Sequence, residues 1–253
     1  MSLPLQAYIY NSIFDKCYNM RMDAVEGEVK KDTENNHNKD RISGKEVLGI
    51  IQSKQFKKMV DKFTEGLKKQ GISHEAGFMV FFNLDSRKFT ILETRDVDPY
   101  GASFGRDERE EHFRLTEDED MIPIIDFHLH TPLVHSYQSN QFAPSLGDLR
   151  AYDDNDQSGY AEMLNMIGFV KGKENMDVLL IQQTSMTISD PNEIERSLKT
   201  SASINETVGI LRDYGYKTAW VNYGTKGIEG KDIETLEKFD ISVKPPMPSP
   251  FSE

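Results

Sequence analysis

The sequence predicts an α+β fold, a three-layer α-β-α sandwich around a mixed, mostly antiparallel sheet. Three observations predict it. Residues 54–70 form an amphipathic stretch ahead of the first strong strand pattern. Two β-rich segments then follow with only a tight connection between them. A second helical stretch separates later strands, without the regular strand-helix alternation of a parallel sheet.

Residues 21–42 are polar and charged with almost no apolar periodicity, which reads as a solvated extension, so the ordered domain is expected to begin after them. Ser43 and Glu46 have capping-box spacing, and a helix should follow. Phe56, Met59, Val60, Phe63 and Leu67 recur at helical spacing with lysines on the opposite face, and Gly71 is placed to end that helix. Residues 77–83 and 88–94 are rich in aromatic and β-branched side chains and are joined by Leu-Asp-Ser-Arg, the pattern of a hairpin.

Residues 95–120 hold many charges and read as a long surface loop. A third strand is expected at 122–129, later strands at 167–171, 178–183 and 218–223, and a helix within 192–214 carrying Ile194, Leu198, Ile204, Val208 and Leu211. Trp220 falls in an apolar strand and reads as core. The segment Gly224-Thr225-Lys226-Gly227 lacks the frame of a phosphate loop and reads as a turn. The division is a polar extension over 1–42, a domain over 43–224, and a C-terminal helix with a proline-rich tail over 225–253.

Charge and cysteine usage narrow the function. With 42 acidic against 30 basic residues and a net charge of -12, the chain lacks the basic footprint of a nucleic-acid binder. Cys17 is the single cysteine, so a metal would have to be held by histidines and carboxylates. The N-terminus has no basic region followed by an apolar stretch, and no run is long enough for a membrane span, so a cytoplasmic protein acting away from membranes is expected.

The informative stretch is residues 124–149. On a strand, alternate side chains share a face, so Asp126, His128 and His130 project together while Ile125, Phe127 and Leu129 point the other way. Two imidazoles side by side suit a metal that takes histidine nitrogen and carboxylate oxygen. They would also suit an ordinary solvated strand face. Downstream, Ser145-Leu146-Gly147-Asp148 reads as a loop turning into a helix, a pattern shared by a helix cap and by a site that presents a carboxylate.

A glutamate after an amphipathic helix, then H-x-H, then S-x-x-D, resembles the motif of the JAMM (JAB/MPN-type) metallopeptidases over roughly residues 45–185. The matching residues are Glu75, His128, His130, Ser145 and Asp148. The resemblance implies a JAB/MPN-like, cytidine-deaminase-like sandwich over 43–224. It further implies Zn2+ on His128, His130 and Asp148, Glu75 as general base and Ser145 as oxyanion stabiliser. The substrate class it implies is a protein or peptide, including isopeptide bonds to a ubiquitin-like protein.

The chain departs from the motif at Thr131, where the family commonly has proline, and in a longer segment between His130 and Ser145. That leaves open His135 or another carboxylate as a ligand, and Glu93 or the acidic segment in place of Glu75. Two other readings stand beside the peptidase: a JAMM-like scaffold without metal, and a PHP-type phosphoesterase, whose first motif D-x-H-x-H-T is also matched. The latter would draw further histidines from later strands, and none follows His135.

Overall fold

The computed structural model describes residues 25–29, 40–70, 76–94, 96–98, 101–103, 106–118, 120–130, 142–157, 162–171, 175–184, 186–187 and 190–243. Along the chain run β1 (Val25–Glu28), β2 (Arg41–Ile42), α1 (Gly44–Ile51), α2 (Lys54–Gln70), β3 (Ala76–Phe82) and β4 (Lys88–Thr94). They are followed by β5 (Asp96–Asp98), β6 (Gly101–Ser103), α3 (Arg106–Phe113), a π-helical turn (Arg114–Asp118), β7 (Ile122–His130) and α4 (Leu146–Gln157). The chain continues through β8 (Leu164–Lys171), β9 (Asn175–Gln182), α5 (Pro191–Leu198), α6 (Ile204–Asp213), β10 (Lys217–Gly224), β11 (Gly227–Ile228), α7 (Lys231–Leu236) and β12 (Ile241–Ser242).

The fold is mixed α/β. Eight strands form one sheet in the order β1-β4-β3-β7-β8-β9-β10-β11, and two-stranded pairs β12-β2 and β5-β6 stand apart from it. Every neighbouring pair in the large sheet is antiparallel except β7 with β8. Antiparallel neighbours can be joined by short turns, but a parallel pair needs a crossover. Here α4 lies in that crossover.

Apolar side chains cover both faces of the sheet. Ile50 of α1, Phe56 of α2 and Leu236 of α7 pack with Phe78, Phe127 and Val178 on one face. On the other, Leu149 and Tyr152 of α4, Leu198 of α5 and Leu211 of α6 pack with Ile167, Phe169 and Leu179. The alternation along β7 sends Phe127 and Leu129 to the first face, and His128 and His130 to the second. Among the described residues no helix is long and apolar enough to cross a membrane.

The capping box forms as its spacing predicts: Ser43 accepts from the Glu46 N–H while Glu46 accepts from the Ser43 N–H. Glu46 also reaches Arg87, with Nε 3.4 Å from Oε1, and both side chains are buried. Arg87 holds the turn from β3 to β4 at a φ of 55°, a left-handed conformation uncommon outside glycine, and its guanidinium lies over the Phe82 ring.

Three expectations need correction. Residues 25–28, assigned to the polar extension, form an edge strand on β4, and residues 41–42 pair with β12. An edge strand needs little apolar surface of its own, and Gly27 lets the Phe89 ring lie against the backbone, since a Cβ there would fall 2.2 Å from that ring. Residues 95–120 hold a short hairpin, α3 and the π-helical turn; Leu115, fully buried with Phe81 and Leu92, anchors this charged stretch. The helix expected within 192–214 is two helices, because Asp190 with Pro191 starts α5 and Ser203 starts α6 by accepting from the Glu206 N–H.

Candidate metal centre

The site stands at the C-terminal end of β7. In the lateral register His128 lies between Gly77 of β3 and Ile167 of β8, and His130 lies beside Phe169 of β8. Gly77 leaves room there, for a Cβ at that position would fall 2.7 Å from the Phe127 carbonyl oxygen and 3.1 Å from the His128 Cβ. The Thr94 hydroxyl donates to the Gly77 carbonyl at 2.6 Å, tying β4 to the same row.

The helix that returns the chain from β7 to β8 begins near the imidazoles, and its first turn carries the third group. Ser145 N–H donates to Asp148 Oδ2 at 2.6 Å, and Asp148 N–H donates to Ser145 Oγ at 3.2 Å. The two readings of S-x-x-D therefore coincide: the cap of α4 is also what aims the carboxylate.

His128 Nε2 and His130 Nε2 are 3.1 Å apart. Asp148 Oδ1 lies 3.3 Å from His128 Nε2, and Oδ2 lies 3.4 Å from His130 Nε2. Ligands held about 2.0–2.2 Å from a tetrahedral ion stand roughly 3.3–3.6 Å from one another, close to these separations. Lone pairs brought so near repel unless a proton or a cation stands among them. His128, His130 and Asp148 form a group that could hold a metal ion, the only such group found among the described residues.

Both imidazoles are buried. His128 is 8% and His130 2% exposed. Burial alone would raise the Asp148 carboxyl, but the charge and hydrogen bonding of His128 and His130 outweigh it and hold the carboxyl well below its usual range. Asp126, on the same strand face, is pushed the other way: burial and the Asp148 charge raise its carboxyl against the pull of His128. The Phe169 ring stands perpendicular to the His130 ring at 5.4 Å.

Of the residues named from sequence, His128, His130, Asp148 and Ser145 come together here. Glu75, His135 and residues 131–141 lie outside the described residues. Glu93 is excluded as a stand-in for Glu75, because it sits in register with Phe78, on the face opposite His128, and its carboxylate is paired with Lys62 at 2.6 Å. Gly77 and Phe169 gave no sign in the sequence, since only strand register brings them to the site. No family model matches this sequence, and no curated protein matches it.

Proposed function

We propose that the chain is a zinc-dependent hydrolase of peptide or isopeptide bonds, of the JAMM type, with His128, His130 and Asp148 as the zinc ligands. The observation that carries the reading is the convergence of two imidazole nitrogens and one carboxylate at separations that suit a tetrahedral ion. Helices against both faces of a mostly antiparallel sheet support a JAB/MPN-like sandwich. That only one strand pair among the described residues is parallel speaks against the barrel of a PHP-type phosphoesterase.

Zinc supplies Lewis acidity, which makes water a usable nucleophile near neutral pH. The chain's own groups do the rest. His128 and His130 would present Nε2, and Asp148 a carboxylate whose pKa the charge and hydrogen bonding of the two histidines hold well below its usual range. Glu75 accepts the proton of the attacking water and delivers it to the leaving amine. Ser145 Oγ accepts from the Asp148 N–H, which leaves its own O–H to donate to the oxyanion that develops on the carbonyl. The partner in this reading is a protein or peptide, including ubiquitin-like conjugates.

Metal analysis of the purified protein tests the proposal together with two variants. The wild type should carry about one zinc per chain; His128→Ala should lose both zinc and hydrolysis, and Glu75→Gln should keep zinc and lose turnover. A folded wild type that takes up no zinc would overturn the hydrolase and favour a scaffold.

A further inference from the structure

We propose that Phe169 is a positioning residue for the metal centre, holding the His130 imidazole in its ligating orientation and tying it to the segment that delivers Asp148. The inference rests on the metal-site reading above. Its ground is a chain of ring contacts. Phe169 is 6% exposed and stands at 90° to the His130 ring with centroids 5.4 Å apart. Phe142 meets Phe169 in turn, at 5.7 Å and 65°.

Phe142 lies three residues before Ser145, the cap that aims Asp148. Phe169 thus touches both halves of the site: the imidazole from β7 and the entry to α4. The histidine χ2 torsion is broad and two-fold, so the direction of Nε2 is left to whatever packs on the ring. A perpendicular aromatic neighbour admits one ring plane and excludes water from that side of the imidazole. Groups that orient a ligating histidine through a hydrogen bond change metal affinity about 10–100-fold when removed, and a ring packed against the imidazole acts on the same orientation.

The test uses Co2+ as the probe, with its visible absorption reporting ligand geometry, on the full chain. Phe169→Leu should weaken Co2+ binding about tenfold and alter the absorption bands, by the usual scale of such orienting groups. Phe169→Tyr keeps the ring and should retain wild-type affinity and bands. Leu198→Ala, a cavity in the same apolar cluster but on α5, supplies the control: it should lower the melting temperature while leaving affinity and bands unchanged.

Wild-type binding in Phe169→Leu would overturn the inference. So would equal weakening in Leu198→Ala, which would reduce Phe169 to ordinary core, and so would a loss in Phe169→Tyr as large as in the leucine variant. Should Phe169→Leu fail to fold, Phe169→Met replaces it with the same expected loss. A wild type that binds no Co2+ and no Zn2+ marks failure of the metal-site reading itself, a result separate from all of these.

Discussion

Ser145 and Asp148 cap one another across the first turn of α4, the Ser145 N–H giving 2.6 Å to Oδ2 and the Asp148 N–H giving 3.2 Å to the serine oxygen. One local motif thus both starts a helix and sets the direction of a carboxylate. Removing the hydroxyl in Ser145→Ala should cost about 1 kcal/mol of stability, the usual scale of a lost N-cap. It should also loosen Asp148 and weaken zinc binding. Urea denaturation of the metal-free protein and a zinc titration measure the two effects separately; unchanged values in both would remove Ser145 from the site.

Zinc takes neutral imidazoles and an ionised carboxylate, so protons compete with it for His128, His130 and Asp148 and its affinity should fall as pH is lowered. Metal-free protein has a second, lower limb. The Asp148 carboxyl is held well below its usual range, so its contribution to stability is present above the unfolded value of about 3.9 and is lost as pH falls through the folded value. Asp148→Asn should abolish zinc binding and flatten that acid limb. Unfolding curves recorded in chelator across pH 2–6 read it, and an acid limb as steep as wild type would contradict the assignment.

What the residues alone announced, and what they did not, follows from how local each signal is. Alternation in β7 placed His128 and His130 on one face, and the spacing of Ser43 to Glu46 and of Ser145 to Asp148 marked two caps, because these depend on neighbours within a few positions. β1 stayed hidden, since Val25–Glu28 draws its order from β4, sixty or more positions away. The break between α5 and α6 was masked by apolar residues that keep helical spacing on both sides of it. Gly77 and Phe169 reach the imidazoles only through the registers of β3 and β8 on β7, which no local pattern encodes. Glu93 shows the reverse case, a residue of suitable chemistry that strand parity turns to the wrong face.

Gly77 faces His128 across the β3-β7 pair with no space for a side chain. In Gly77→Ala the new methyl would press on the Phe127 carbonyl and the His128 Cβ, so β3 must shift from β7. Overpacking of this kind costs about 1–3 kcal/mol. Because the shift occurs beside a proposed ligand, zinc affinity should fall as well, by more than in a core variant of equal stability. Thermal unfolding and zinc titration of Gly77→Ala decide the matter; a variant that loses stability yet binds zinc as wild type would show that His128 does not depend on this contact.

Arg87 and Glu46 lie at the far end of β3 from the candidate metal centre, buried and paired, and so offer a test of stability without chemistry. Arg87→Met leaves the Glu46 carboxylate buried without its cation, a change that typically costs about 3–5 kcal/mol. The turn also loses the guanidinium over Phe82. Glu46→Gln combined with Arg87→Met removes the stranded charge and should recover part of that loss, so the double variant should be more stable than the sum of the singles implies. Zinc affinity of the folded fraction should match wild type in all three. Denaturant unfolding gives the coupling directly, and additive losses would mean that the 3.4 Å approach of Arg87 Nε to Glu46 contributes nothing to the fold.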